Sequence, residues 1–290
     1  MSARTGVDTA LGLDTKRGPL AILAKTILYG ALIFIFAGPL IAILIGAFIP
    51  VADPTKLTLF PDDLTLDNFR RAIERDVFLY LLNSFIVVGF GLLFQVLVSI
   101  LAAYALARKK FVGSTLVMLA FLATMMLPEE VLAIPLSLVL ADVPVIHAHL
   151  IGSLTGMIVP VVAWGFSILV MTEFMKDIPI ELEEAARIDG AGELRIFWSV
   201  VLPLCRPALG VIGIFGFAMI WDQYMLPLLV ATDNEQFTLP LALRTLRTDE
   251  EVGVGVLLAA SLLALLPSVV AFLAFQRSFL RGLTSGAVKG

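Results

Sequence analysis

Uncharged hydrophobic runs long enough to cross a membrane recur along this chain. A bilayer core requires about 20 apolar residues per helix. Five runs without a charged residue meet or approach this length, and a sixth is interrupted only by Asp222. The six runs are Thr26–Ala52, Val77–Ala107, Phe111–Pro128, Leu150–Thr172, Pro207–Val230 and Val252–Gln276. The pattern predicts an all-α, polytopic membrane protein with six transmembrane helices.

Two shorter patterns add detail to these spans. Pro128 and Pro135 fall in and after the third run, and proline inside a helix removes a hydrogen bond, so we expect this span to be kinked or interrupted. The segment Leu66–Ile73 alternates as an amphipathic helix does, and we expect it to lie along the membrane surface.

A polar, helix-forming loop, residues 173–206, separates the fourth and fifth runs. Pro179 suits the first turn of a helix, and Asp177 is positioned to cap it. Glutamates follow in that turn, where the helix dipole favours anions. Gly190 then supplies a left-handed stop, and a second helix is expected from Glu193 to about residue 201.

Composition supports the membrane assignment and excludes a soluble globular domain. The 290 residues are 59% hydrophobic and 15% charged, with a mean hydropathy of +0.99, whereas ordinary soluble domains are about 25% charged. The single cysteine, Cys205, excludes an internal disulfide.

The distribution of basic residues predicts the orientation. With the N-terminus inside, the cytoplasmic segments hold fourteen Lys and Arg residues and the opposite side holds six. This asymmetry fits the positive-inside rule and places both termini in the cytoplasm. We expect residues 1–18 to be a mobile cytoplasmic tail, 19–276 a six-helix transmembrane domain that includes the polar loop 173–206, and 277–290 a cytoplasmic C-terminal tail.

The polar loop also carries a family resemblance. Glu184-Ala185-Ala186, Gly190 and, farther on, Val200-Val201-Leu202-Pro203 resemble the cytoplasmic "EAA" loop of permease subunits in bacterial ATP-driven (ABC) importers; Val200 stands where Ile is usual. The resemblance implies that Glu184 and Ala185 contact an ATPase subunit. It also implies that Ala186 belongs to the same coupling helix and that Asp189 and Gly190 shape its turn.

Other segments are similar to the second permease subunit of maltose-type carbohydrate importers. They are Asn83-Ser84, Ala103–Arg108, Met126-Leu127-Pro128, Trp221–Leu228 and the C-terminal Gln276–Gly290. The resemblance implies an ABC type I importer permease fold in the bacterial inner membrane. The implied partners are a second permease, two ATP-binding cassette ATPase subunits and an extracytoplasmic substrate-binding protein, which the 231–252 loop is best placed to contact. Nucleic acid is not among the expected partners.

The chain has no phosphate-binding loop of its own. A P-loop requires Gly-Lys followed by Ser or Thr, and no Gly-Lys pair occurs in the sequence. We therefore expect this chain to bind no cofactor and to be no enzyme, with ATP and magnesium held by the partner ATPases. His147 and His149 have no third ligand nearby in the sequence, so no metal site is expected.

Polar residues inside or beside the spans are the candidates for a substrate path, because such residues are costly in lipid and usually functional. They are Asn83, Gln95, Glu129, Glu130, Trp221, Asp222, Gln223 and Tyr224. Three alternatives stay open. Asn83 and Gln95 could bond only to neighbouring helices, the two glutamates could face outer water, and the two aromatic residues could anchor the membrane interface.

These candidates are acidic or neutral, which favours a neutral sugar or sugar alcohol as the substrate. A phosphorylated polyol such as glycerol 3-phosphate would favour a basic group near its path. Parts of the third and fifth spans nevertheless resemble glycerol-phosphate permeases, which leaves that alternative open. A secondary transporter driven by ions, with the acidic residues as proton sites, is the other alternative; it leaves the 179–203 loop unexplained.

Overall fold

The computed structural model describes residues 19–50, 63–249 and 252–287, with side chains for 22–50, 63–249 and 252–276. The expected tail 1–18 lies outside the described residues, as do 288–290. Within the described ranges the chain is helical and contains no β-strand, apart from one isolated bridge between Val143 and Ala148. The predicted all-α class is confirmed.

The helices follow one another with short connections. They are α1 (Pro19–Ala47), α2 (Asp67–Glu74), α3 (Val77–Arg108), α4 (Ser114–Met126), α5 (Glu129–Ala141), α6 (Leu154–Ile158), α7 (Gly165–Lys176), α8 (Glu181–Ile188), α9 (Glu193–Ile196), α10 (Leu202–Leu204), α11 (Arg206–Trp221), α12 (Met225–Val230), α13 (Leu239–Thr248) and α14 (Val254–Ala287). A π-helical segment, Phe197–Val201, joins α9 to α10. Turns of 3₁₀-helix occupy Val159–Val161 and Asn234–Gln236.

Four segments of the described chain are long and apolar enough to cross a membrane as they stand. They are Ile22–Ala47, Val77–Arg108, Leu154–Lys176 and Val254–Gln276. Two bent pairs meet the same criterion together: α4 with α5, bent by 112°, and Glu193–Leu204 with α11, bent by 70°. The described residues therefore provide four spans, or the six that the sequence predicts if each bent pair counts as one.

Proline residues lie at or near these helix breaks. The interruption at Pro128 is the one predicted from the sequence, and the segment predicted to be an amphipathic helix forms α2. The fifth hydrophobic run, Pro207–Val230, does not form one helix, however, because α11 ends at Trp221 and α12 starts at Met225. Pro227 has no N–H to donate to the carbonyl oxygen of Gln223 and its ring crowds that carbonyl, which disfavours a continuous helix through this segment.

Two segments outside the predicted spans are helical over part of their length. The predicted outer loop 231–252 contains the helix α13. The predicted C-terminal tail 277–290 continues the helix α14 as far as Ala287.

The described residues form two compact units. One comprises the described residues of 19–71 and 252–262, and the other comprises the described residues of 72–249 and 263–287. In the first, the buried amide of Asn68 donates hydrogen bonds to the carbonyl oxygens of Ala47 (3.0 Å) and Ile49 (2.7 Å). These bonds fix the start of α2 against the end of α1.

The core of the second unit joins the polar loop to the membrane spans. Its buried members come from α3, α7, the loop and α11, and they are Ile100, Ala103, Met171, Met175, Ile178, Ile196, Phe197, Val201, Cys205, Ala208 and Ile212. Because the interior of a protein is close-packed and stiff, a displacement of the loop is transmitted to the spans that share this core.

Candidate functional site

The loop forms two short helices, as predicted, but the first one begins differently. Asp177 ends α7 in helical conformation, with φ −71° and ψ −16°, and is not the N-cap of α8. An N-cap requires extended backbone, which this residue does not have. Instead, Leu182 N donates to the carbonyl oxygen of Pro179, and Glu183 N and Glu184 N donate to that of Ile180.

The end of α8 is the left-handed glycine turn that the sequence predicts. Gly190 has φ +80°. Its N–H donates to the carbonyl oxygen of Arg187, and Ala191 N donates to that of Ala186, which is the Schellman arrangement. No atom other than those of its chain neighbours lies within 4 Å of the position a Cβ would occupy on Gly190. The glycine is therefore required by backbone conformation and not by crowding.

The motif residues lie on the outside of the loop. Glu184, Ala185, Asp189 and Gly190 are exposed, whereas Ala186 is half-buried against the core of the second unit. Two apolar side chains next to the turn are also exposed, Ile188 (87%) and Leu194 (76%). The loop therefore presents an acidic helix with an apolar edge on one side and packs into the spans on the other.

Sequence reasoning missed Glu183, which is fully buried beneath this surface. Its Oε1 lies 2.6 Å from the Nε atom of Arg108, the last residue of α3, and Arg187 lies 3.7 Å from its other oxygen. In the sequence, Glu183 is one of three glutamates in the first turn of a helix, and Arg108 is one of three consecutive basic residues after the second hydrophobic run. Only the position of Glu183 could have suggested its burial. It directly precedes Glu184 on the helix, so the two side chains cannot lie on the same face.

A second carboxylate, Glu193, receives hydrogen bonds at the surface of the same region. Tyr104 Oη donates to it at 3.0 Å, Lys109 Nζ at 2.7 Å and Arg187 Nη2 at 3.1 Å. Two of these donors belong to the α3 end and one to α8. Hydrogen bonds to Glu193 therefore join the end of α3, which we predict to be cytoplasmic, to both helices of the loop.

Asn83 is buried and bonded to a loop. Its amide nitrogen donates to the carbonyl oxygens of Glu235 (2.7 Å) and Phe237 (3.0 Å). The neighbouring Ser84 Oγ accepts a hydrogen bond from Leu239 N at 2.8 Å. These contacts hold the segment before α13 onto α3.

Gln95 is fully buried between α3 and α7. Its amide nitrogen lies 3.5 Å from Ser167 Oγ, and Ser99 Oγ donates to Ser167 Oγ at 2.7 Å. Within the described part of the chain, Gln95 Oε1 accepts no hydrogen bond. The residue belongs to a buried polar contact between spans.

Glu129 and Gln223 come together across two helix breaks. Gln223 Nε2 lies 3.4 Å from Glu129 Oε1. Both line a cavity of about 400 Å³ whose wall includes the ring of Trp164, at the break that precedes α7. Carboxylate, amide and indole groups facing one cavity are the kinds of group that bind sugar hydroxyls and sugar faces.

The four remaining candidates do not line this cavity. Trp221 is 3% exposed, its Nε1 donates to the carbonyl oxygen of Ala264 at 3.2 Å, and its ring packs against aromatic neighbours. The guanidinium of Arg244 lies over the side chain of Tyr224, 5.2 Å from the centre of the tyrosine ring. Glu130 and Asp222 are exposed.

The two histidines of the turn after α5 bind different partners. His147 Nδ1 lies 3.1 Å from Asp142 Oδ1, and His149 Nδ1 lies 2.6 Å from the carbonyl oxygen of Ala141. Among the residues that the structure describes, no three His, Cys, Asp or Glu side chains are grouped as metal ligands.

Comparison with known proteins gives a consistent result. Residues 95–284 match the family described as binding-protein-dependent transport system inner membrane component. The chain is 34% identical, over 96% of its own length and all of the relative's, to the arabinooligosaccharides transport system permease protein AraQ of Halalkalibacterium halodurans.

A second relative and a solved structure extend the comparison. The chain is 36% identical, over 71% of its length and 72% of the relative's, to the sn-glycerol-3-phosphate transport system permease protein UgpE of Yersinia pestis. It superposes, with a TM-score of 0.77 and 21% identity, on a chain from the crystal structure of a bacterial ABC transporter involved in the import of the acidic polysaccharide alginate. That superposition covers 96% of this chain and all of the other, so the two share a fold.

Proposed function

Because the chain belongs to the family of binding-protein-dependent transport system inner membrane components, we propose that it moves a sugar or sugar alcohol across the bacterial inner membrane. Family membership makes it a membrane-embedded permease subunit of an ABC importer, a class that works with an ATPase and a substrate-binding protein. In the complex we propose, it pairs with a second, different permease, two ATPase subunits and an extracytoplasmic binding protein.

The polar loop is the proposed docking site for an ATPase. Glu184 and Ala185 touch the ATPase, Ala186 joins them to the core, and Asp189 and Gly190 fix the turn behind them. The observation that carries this assignment is an exposed acidic helix whose rear is packed into the spans. A helix that lies on lipid would be basic with a continuous apolar face, and α8 carries three glutamates in its first turn.

ATP hydrolysis belongs to the partner subunits in this proposal. This chain binds no cofactor; the ATPases hold ATP and magnesium. Closure of the ATPases moves α8, and α9 and α10 carry that movement into α11 and the fifth span. The cavity at the helix breaks then opens toward the binding protein, and hydrolysis returns it to the inward-facing state.

The cavity beside Glu129 and Gln223 is the proposed part of the path for substrate. The other residues predicted for the path do not line this cavity; they are Asn83, Gln95, Glu130, Trp221, Asp222 and Tyr224. Among the described residues that line the cavity there is no Lys or Arg, which favours a neutral carbohydrate over an anion. The 36% identity to a glycerol-3-phosphate permease keeps a phosphorylated polyol as the second candidate.

Co-purification tests the docking assignment. The tagged chain is isolated from native membranes as the wild type and as Glu184→Lys, and its partners are identified by mass spectrometry. Glu173→Lys, which makes the same charge change on the exposed end of α7, is the matched control. We expect an ATPase and a second permease with the wild type and the control, and loss of the ATPase with Glu184→Lys. Recovery of the same ATPase with all three would overturn the assignment.

Uptake into proteoliposomes tests the energy source and the substrate. The purified complex and its binding protein are reconstituted without an ion gradient, with ATP on the ATPase side. We expect ATP-dependent uptake of a labelled arabino-oligosaccharide or another neutral sugar. Uptake of glycerol 3-phosphate alone would favour the second candidate, and uptake driven by a proton gradient without ATP would favour a secondary transporter.

A further inference from the structure

Arg108 links the end of the second span to two points of the polar loop. Its side chain is 7% exposed, and its Nε atom lies 2.6 Å from Oε1 of the fully buried Glu183. Its Nη2 donates to the carbonyl oxygen of Ile178 at 2.8 Å. One guanidinium therefore contacts both the connection from α7 and the first turns of α8.

This ion pair attaches the loop to a span that is not next to it in the sequence. By covalent connection the loop is joined only to the span before it, through Lys176, and the span after it, through Arg206. The Arg108–Glu183 pair joins it to the second span, which is distant in sequence. Separating a buried pair takes from each desolvated charge its nearest opposite charge, so this attachment resists being pulled apart more strongly than an exposed pair would.

Two other sets of contacts act in the same direction. Ile100 and Ala103 of α3 pack in one buried cluster with Ile196 and Phe197 of the loop. At the surface, Glu193 accepts hydrogen bonds from the α3 end, as described above. The buried Arg108–Glu183 pair lies in the interface between α3 and the loop. Apolar side chains pack on one side of the pair, and exposed charged side chains meet on the other.

We propose that Arg108 and Glu183 are positioning residues that clamp the second span to the coupling loop, so that α3 moves with α8 as one body. The inference rests on the proposed docking of the loop to an ATPase. It extends the proposed mechanism, because the movement reaches the second span directly in addition to the fifth. The second span packs against both α7 and α11, so the clamp delivers the movement to the centre of the second unit.

A distance measurement on the native complex tests the clamp. Spin labels are placed at Glu181, the exposed start of α8, and at Lys110, just past the end of α3, in a Cys205→Ala background. The distance is measured by electron paramagnetic resonance with ADP and after trapping with ATP and vanadate. We expect the same narrow distance in both states, and a distance that changes with nucleotide in the wild type would overturn the proposal.

Variants that remove one charge of the buried pair provide a second test of the clamp. With Arg108→Gln, or with the isosteric Glu183→Gln if the first does not assemble, we expect the distance to differ between the two nucleotide states. Arg108→Lys, which keeps the charge, should restore part of the wild-type behaviour. Glu173→Gln, which breaks the exposed pair with Lys176, is the control and should behave as the wild type. A neutral variant whose distance stays constant overturns the proposal.

The two proposals fail in different ways in this design. Vanadate-sensitive ATP hydrolysis in the same sample reports whether an ATPase accompanies the chain. Its absence would contradict the proposed function. Hydrolysis together with a nucleotide-dependent wild-type distance would contradict the clamp alone.

Discussion

Gly216 of α11 lies directly against the side-chain amide of Gln95 on α3. A Cβ atom on Gly216 would lie 2.9 Å from Gln95 Oε1 and 2.8 Å from Leu92 Cδ1, closer than Cβ atoms approach other groups. The absence of a side chain lets the second and fifth spans meet, as small residues do at helix interfaces in membranes.

This contact predicts that Gly216→Ala destabilises the protein, because the end of the Gln95 side chain would have to shift while it is fully buried. Overpacking costs about 1–3 kcal/mol, whereas the better helix propensity of Ala returns only about 1 kcal/mol at most. Thermal unfolding of the purified complex measures the difference. The matched control is Gly89→Ala on α3, where nothing lies within 4 Å of the added Cβ; an equal loss in both variants would contradict the packing argument.

Gly190→Ala is predicted to impair coupling through the backbone alone. Space is open at this site, but φ is +80°, and an L-residue in the left-handed region costs about 1–2 kcal/mol. The turn between α8 and α9 should shift, and ATP-driven uptake should fall while the amount of chain in the membrane is maintained. Gly192→Ala is a close control, because its φ is −73° and its surroundings are equally open. Equal activity of the two variants would refute this role of the turn.

Glu183→Ala is predicted to be strongly destabilising. Removing one partner of a buried ion pair costs about 3–5 kcal/mol because the other charge stays buried. Glu173→Ala removes an exposed partner of Lys176, and exposed pairs contribute about 0–1 kcal/mol. Thermal unfolding of the two variants compares these effects directly, and similar unfolding temperatures would contradict the burial of Glu183.

Asn83→Ala is predicted to loosen the segment before α13. The amide of Asn83 is bonded to the carbonyl oxygens of Glu235 and Phe237, and each lost hydrogen bond leaves a group without its partner at a cost of about 1–3 kcal/mol. Hydrogen–deuterium exchange should rise over residues 233–239 while the affinity for substrate changes little. Asn234→Ala, in the same segment but exposed, should leave the exchange rates unchanged. A large fall in substrate affinity with normal exchange would instead place Asn83 in the path.

The sequence predicted those features that depend on neighbouring residues. The break at Pro128, the left-handed turn at Gly190 and the amphipathic helix at Asp67–Glu74 each follow from local chemistry. The N-cap at Asp177 was predicted wrongly, because the α7 helix continued into that residue. The break at 222–224 was missed, because hydrophobicity alone does not register the steric effect of Pro227.

The features that depend on residues far apart in the chain could not be predicted. Nothing in the pattern around Arg108 distinguishes a clamp from a membrane anchor, and nothing around Glu183 marks it as the buried member of its helix. The same holds for Glu129 and Gln223, whose contact requires two helix breaks to face each other. The family resemblance supplied the proposed function of the loop, and the packing of the spans behind it had to come from the structure.

The most direct test of the account is photo-cross-linking from position 184 in the native membrane. A photoreactive amino acid replaces Glu184, and the same residue replaces Glu173 as the control; the adducts are identified by mass spectrometry after irradiation. The account predicts an ATPase subunit cross-linked from position 184 and not from position 173. Adducts of position 184 with phospholipid alone would show that α8 lies on the membrane and would contradict its role in coupling.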